Sequence, residues 1–350
     1  MHLENVQNIL VRGTNWIGDV VMTFPALHSI RKTFPQAHIA VLVKPWVSDL
    51  FQVCPDIDEI ILYESPGRHE GLSGLWSLSG ELRKRKFDCA ILLQNAIEAA
   101  LIARLAGIPI RLGYNSDGRG WLLTHSIQRT KAVRKIHQTF YYLEMLKALG
   151  LQPVENKIQL ELGAEIKVLS EQIFRKSGLS RNDLIIGMAP GAAYGPAKRW
   201  PAERFAEVAL KLIRTHSAKI ILLGSEGDRD ITDAIARSSD AKTIINLAGQ
   251  TSLREAMSVI SECAIFISND SGLMHIAGAL NIPTIAIFGS TNPVTTSPVG
   301  DHCMVIRKDL SCSPCLKKEC ASDFKCMTSI SAEEVFDAAR KMIEVNKLGR

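Results

Sequence analysis

The chain has 350 residues, 46 % of them hydrophobic and 22 % charged, and a formal net charge of +5. This length and balance fit two globular domains with a substantial core. They leave no membrane span, because the most apolar stretch, residues 90–110, is interrupted by Gln94, Asn95, Glu98 and Arg104.

The N-terminal MHLENVQNIL lacks a basic region followed by a cleavable apolar segment, so a cytoplasmic protein is expected. Aromatic residues make up only 6 % and no stacking platform or binding motif is visible, so nucleic acid is not an expected partner.

Strand-like apolar runs at 8–11, 38–43, 59–62 and 89–93 alternate with helix-like runs such as 18–33 and 75–85. That alternation predicts a parallel α/β sheet. The loop after the first strand reads Arg12-Gly13-Thr14-Asn15-Trp16-Ile17-Gly18-Asp19. Its glycines lack the G-x-G-x-x-G spacing of a dinucleotide fingerprint. Asp19 opens the next helix, where an acid is favourable in its own right. The helix dipole lowers its pKa, so it acts as a general base only if burial or a bound acceptor offsets that effect. Residues 104–135 set Arg104, Arg111, Arg119, Arg129, Lys131, Arg134 and Lys135 against Asp117 alone, a local +6 in a Gly-rich, poorly periodic segment. A solvated face fits this run, and so does a loop meeting a phosphorylated or membrane-bound anionic partner.

Residues 150–165 break the alternation and form the candidate linker, with a helix at 165–177 ahead of a second sheet. Strand runs follow at 184–188, 219–223, 243–246, 264–267 and 284–288, and helices fit at 202–214, 229–238, 253–261 and 273–280. The expected division is therefore 1–165, 166–330 and a C-terminal helix at 331–350. That helix is opened by a Ser331/Glu334 capping box and is placed as packing back on the first domain. Two doubly wound domains facing one another would hold a ligand between their strand C-terminal edges.

Three loops of the second half carry chemistry. In 189–201, Gly191 and Ala192 permit close backbone approach, while Lys198 and Arg199 bring positive charge to solvent or to a phosphate. In 224–230, Asp228 is placed to accept from ribose hydroxyls. The Asp-x-Asp spacing at 228 and 230 also allows a metal-bridged diphosphate, although Asp56 and Asp58 share it in an apparent turn. In 268–272, a strand gives way to Asp270-Ser271-Gly272 and a new helix with His275 one turn in. That is an anion pocket of free amides at a positive dipole end, or an ordinary N-cap. Lys198 and this helix start suffice to neutralise a leaving diphosphate without a metal. Further on, Cys312, Cys315, Cys320 and Cys326 follow C-x2-C-x4-C-x5-C. A structural zinc or iron–sulfur site, disulfides (disfavoured in a reducing cytosol) and plain thiols are the three readings.

Taken together, the Gly18-Asp19 loop, PGAAYGPAKRWP (190–201), GSEGDRD (224–230) and NDSGLMH (269–275) resemble the ADP-heptose:lipopolysaccharide heptosyltransferases of glycosyltransferase family 9. The likeness spans nearly the whole chain and is strongest to the branch that adds the second heptose. It implies a GT-B fold, two Rossmann-like domains with the acceptor on the first and ADP-heptose on the second, and inversion without a required cofactor. By that resemblance Asp19 matches the general base. Gly191, Ala192, Lys198, Asp228, Asp270, Ser271, Gly272 and His275 match the donor site, and Arg119 and Arg134 are candidate acceptor contacts. The implied acceptor is the first heptose of a Kdo-bearing lipid A precursor, met peripherally at the cytoplasmic face of the inner membrane. A sibling with another acceptor and a non-catalytic nucleotide-sugar binder remain the alternatives.

Overall fold

The computed structural model describes residues 3, 5–153, 158–180, 182–239 and 242–348, with backbone alone for 346–348. The chain divides into two units, 1–158 and 159–350. Residues 154–157 of the candidate linker lie outside the described residues.

The first unit runs β1 (Asn8–Arg12), α1 (Ile17–Thr33), β2 (His38–Val43), α2 (Ser48–Gln52), β3 (Glu59–Leu62), α3 (Gly71–Lys84), β4 (Cys89–Leu92), α4 (Ile97–Leu105), β5 (Ile110–Asn115), β6 (His125–Gln128) and α5 (Gln138–Ala148). The strands form one parallel sheet in the order β3-β2-β1-β4-β5-β6. β1, β2 and β4 are buried almost throughout, which is why they read in the sequence as continuous apolar runs. Order within 104–135 is greater than its composition suggests: β5, a short 3-10 turn at Gly120–Leu122 and β6 occupy it. β5 reads IRLGYN, and β6 reads HSIQ at the sheet edge, largely exposed and polar. β5 alternates Ile110, Leu112 and Tyr114 with Arg111, Gly113 and Asn115, whereas β6 has one apolar residue, and a polar edge strand is how a sheet avoids further pairing.

The second unit runs α6 (Ala164–Lys176), β7 (Ile185–Ala189), α7 (Ala202–His216), β8 (Lys219–Leu222), α8 (Arg229–Ala236), β9 (Ile244–Asn246), α9 (Leu253–Ser261), β10 (Ile265–Asn269), α10 (Gly272–Ala279), β11 (Thr284–Ile287), α11 (Pro293–Thr296), β12 (Cys303–Ile306), α12 (Lys325–Thr328) and α13 (Ala332–Leu348). Its parallel sheet has the order β12-β11-β10-β7-β8-β9. Numbered within its own unit, this is the same 3-2-1-4-5-6 order as the first sheet, the dinucleotide-binding arrangement. In both, the chain winds outward from the first strand, then returns to start again at the fourth. A crevice therefore opens at the C-terminal ends of β1 and β4, and another at those of β7 and β10.

Helix α13 belongs to the second unit and packs into its core. Val335, Phe336, Ala339 and Ile343 join the core of Trp200, Phe205, Val208 and Leu212 beneath α7. Its start is fixed locally: Glu334 accepts from the Ser331 amide at 2.9 Å, and the Glu334 amide donates to the Ser331 hydroxyl at 3.2 Å. Ser331→Ala removes this reciprocal cap and is expected to cost about 1 kcal/mol. Faster amide exchange in the first turn of α13 and a lower denaturant midpoint would report it.

Candidate functional site

In the first unit the chemistry gathers on the loop between β1 and α1. Gly13 is required there, because a Cβ would lie 2.7 Å from Val43 Cγ1 at the end of β2. Arg12 is buried and spends its guanidinium on that loop. Nη1 donates to the carbonyls of Gly13 (2.6 Å) and Leu42 (3.0 Å), and Nη2 to Asn15 Oδ1 (3.1 Å). Burial lowers its pKa to about 10, against the raising charges of Glu98 and Tyr63. Lys44 Nζ, at the end of β2, sits 3.6 Å from the Tyr63 ring centre and donates to the Ser65 carbonyl at 2.7 Å. Its pKa is also lowered, first by burial and then by Arg12. The Tyr63 hydroxyl in turn bonds Glu98 at the start of α4.

Asp19 lies in the first turn of α1, half-buried. Its charge reaches Tyr142 of α5, whose phenol is pushed well above its usual range, first by burial and then by Asp19.

The two candidate acceptor arginines part company. Arg134 is exposed. Arg119 is fully buried, with Nε on the Tyr114 carbonyl (2.9 Å), Nη2 on that of Leu92 (3.4 Å) and Nη1 on that of Gln94. It ties the loops after β4 and β5 together, and burial brings its pKa down to about 10. Its cation is committed to backbone, so the reading of Arg119 as an acceptor contact is corrected to a structural one. Arg111 is partly committed in the same way, to the carbonyls of Leu122 and Ile108. The +6 of residues 104–135 is therefore not one exposed patch.

In the second unit the loops after β7 and β10 leave adjacent strands and are tied by Asn269. This buried side chain donates to the Pro190 carbonyl at 2.6 Å and accepts from the Trp200 amide at 3.1 Å. The pairing of Ser268 with Ala189 puts Asn269 beside Pro190 and makes both bonds possible. Lys198 Nζ lies 2.6 Å from Asp270 Oδ2, both largely buried, and Thr291 donates to the same oxygen at 2.5 Å. Ser271 precedes the first residue of α10 with extended backbone, its hydroxyl 3.0 Å from that of Ser268. Gly272 is the first helical residue and His275 is buried one turn later.

Asp228 caps its own turn. Its Oδ2 accepts from the Ser225 amide (3.0 Å) and hydroxyl (2.7 Å), and its Oδ1 lies 3.7 Å from Arg199 Nη2. Gly191 is what lets the two loops meet, since a Cβ there would lie 2.2 Å from Asp228 Cγ. Ala192 is buried beside it, its carbonyl 3.5 Å from Arg199 Nη2.

The cysteine segment has a role the sequence did not suggest: it braces the 190–201 loop. The Tyr194 hydroxyl donates to the Leu316 carbonyl (2.8 Å), the Ala197 amide to that of Lys318 (3.0 Å), and the Leu316 amide to that of Ser290 (2.7 Å). Burial raises the Cys326 thiol, with smaller contributions from the charges of Cys312, Cys315 and Cys320. The Ser322 amide and hydroxyl and the Phe324 amide lower that of Cys320. Among the described residues no group of three or more His, Cys, Asp or Glu is placed to hold a metal ion.

Comparison with known proteins gives the following. The model of glycosyltransferase family 9 (heptosyltransferase) matches residues 75–325. Lipopolysaccharide heptosyltransferase 2 of Escherichia coli strain K12 is 32 % identical over 308 residues, covering 85 % of this chain and 87 % of that protein. The solved structure of E. coli ADP-heptose lipopolysaccharide heptosyltransferase II superposes with a TM-score of 0.83 at 28 % identity, over 97 % of this chain and all of that one. A family 9 glycosyltransferase from Veillonella parvula superposes with a TM-score of 0.85 at 27 % identity, over 96 % and 97 % of the two chains. The fold class is therefore GT-B, built of two Rossmann-like units.

Arg119→Ala should remove the donor shared by the carbonyls of Leu92, Gln94, Ala96 and Tyr114 and lower stability by about 1–3 kcal/mol. A reduced melting temperature is the readout, and an unchanged one would show that those carbonyls find other donors.

Proposed function

The chain belongs to glycosyltransferase family 9, and on that premise we propose that it is an inverting transferase carrying heptose from ADP-L-glycero-D-manno-heptose to the first heptose of the lipopolysaccharide inner core. The observation that bears most of this reading is the buried Lys198–Asp270 pair beside the start of α10, at the reversal of strand order. A fixed cation and free helix amides at one point suit a diphosphate. The type 2 acceptor is supported by the relatives, which are named heptosyltransferase 2.

The proposed reaction runs as one displacement. The acceptor hydroxyl oxygen bonds to the anomeric carbon, the bond from that carbon to the phosphate oxygen breaks, and ADP departs with the electron pair. Asp19 takes the hydroxyl proton. Inversion requires a base on the face of the sugar away from the leaving group, and Asp19 is the carboxylate proposed for it. Lys198, oriented by Asp270, and the Ser271–Gly272 amides take up the charge that grows on the diphosphate, so the step itself needs no cofactor. Asp228 holds the turn that faces the nucleotide and is proposed to meet the ribose. Gly191 and Ala192 are proposed to border the donor on the loop that Gly191 brings against Asp228, and His275 to lie beneath the α10 turn. Arg134 is proposed as an acceptor contact.

The acceptor is a lipid, so the enzyme is proposed to work at the cytoplasmic face of the inner membrane as a peripheral protein. Among the described residues no helix is long and apolar enough to cross a membrane. A structural metal on Cys312, Cys315, Cys320 and Cys326 is proposed from their spacing alone. Zinc at about one equivalent, or iron together with acid-labile sulfide, in anaerobically purified protein would bear it out, and the absence of both metals would end it.

Mass spectrometry of products from ADP-heptose and acceptors bearing no, one or two heptoses tests the central reading. A single heptose added to the one-heptose acceptor alone is expected. Addition to the bare acceptor makes the chain a first-heptose enzyme, and addition to none makes it a binder. Asp19→Asn should lower turnover roughly 100- to 10,000-fold while ADP affinity, read by calorimetry, stays within about twofold. Lys198→Ala should instead weaken ADP-heptose binding and lower turnover about 100-fold or more.

A further inference from the structure

Two tryptophans stand exposed at the loop that bears Asp19. Trp16 directly precedes α1, three residues before Asp19, and is 58 % exposed; Trp46, just after β2, is 52 % exposed. Trp200 of the second unit, by contrast, is completely buried. Trp46 is held in place: its indole N–H donates at 2.8 Å to the carbonyl of Asn15, the residue before Trp16, and Asn15 is itself held by buried Arg12. Lys44, itself buried, has its Nζ 6.0 Å from the Trp46 ring centre. Leaving two large indoles in water forgoes their burial energy, and a patch of this kind marks a binding surface.

We propose that Trp16 and Trp46 form a stacking platform for the pyranose ring of the acceptor, placing its hydroxyl at Asp19. The indole face offers negative π density to the polarised C–H bonds of a sugar face, which is the chemistry of weak C–H contacts to aromatic rings. The platform rests on the functional reading above and names the part of that site which grips the acceptor. These residues position the substrate and take no part in proton transfer.

Steady-state kinetics with an acyl-free, one-heptose acceptor oligosaccharide tests it. Trp16→Ala and Trp46→Ala should each raise the acceptor KM about tenfold, leaving the ADP-heptose KM and kcat at saturating acceptor unchanged. The Phe variants at both positions should recover most of the loss. Trp76→Ala, an equally exposed tryptophan on α3, should behave as the parent protein. Calorimetric titration of the acceptor into Asp19→Asn protein should give parental affinity, lost again on adding Trp46→Ala. An acceptor KM within twofold of the parent in both alanine variants overturns the platform. So does a defect seen only with acylated acceptor in vesicles, which would make the pair a lipid anchor. A parent protein that binds none of the acceptors overturns the functional reading and the platform together, whereas equal binding by parent and alanine variants overturns the platform alone.

Discussion

Everything chemical in this protein depends on where strand order reverses. A right-handed crossover chain that returns to the centre of its sheet must leave a gap between the two outgoing connections at the reversal. In the first unit the β1 connection carries Asp19 and the β4 connection leads to Glu98. In the second, the connections from β7 and β10 carry Lys198 and Asp270. Side chains far apart in sequence meet because two parallel strands end side by side. Asn269 makes that proximity specific. It is buried, and both halves of its amide are used on the neighbouring loop, one on Pro190 and one on Trp200. A buried amide with satisfied partners fixes one arrangement, because any other leaves polar groups without partners.

The two units handle buried charge differently. In the second, Lys198 is neutralised at close range by Asp270, which Thr291 also holds. A cation kept in place this way needs little reorganisation when a second anion arrives, which is the property an electrostatic catalyst needs. In the first, burial lowers both Arg12 and Lys44, Arg12 depresses Lys44 further, and Glu98 is the counterweight to both, with Tyr63 acting on Arg12. Their donors go to carbonyls and to Asn15, so these cations shape the Asp19 loop from beneath.

Much of this was legible in the chain because parallel strands buried on both faces are apolar from end to end. His38–Val43 and Leu253–Ser261 have the ends that their patterns predict. The edge strands His125–Gln128 and Cys303–Ile306 were not legible: HSIQ has a single apolar residue and resembles a loop, and CMVI is only four residues long with no helix-like run ahead of it. Arg119 misled for a related reason. A surface cation and a cation bound to buried carbonyls have the same letter and the same Gly-rich surroundings, and only packing separates them. The cysteine segment gave its spacing but not its hold on Tyr194 and Ala197, which runs through backbone atoms that leave no trace in residue type.

By itself, then, the sequence determined the two-sheet α/β plan, the loops that carry chemistry and the family. Hydrophobic periodicity and short polar glycine turns are local properties written residue by residue. The tertiary structure decided which cations are free and which are spent, how Gly191 lets one loop approach Asp228, and that two tryptophans stay in solvent beside Asp19. Those outcomes depend on what lies across a packed interface, and burial is a property of the neighbours rather than of the residue.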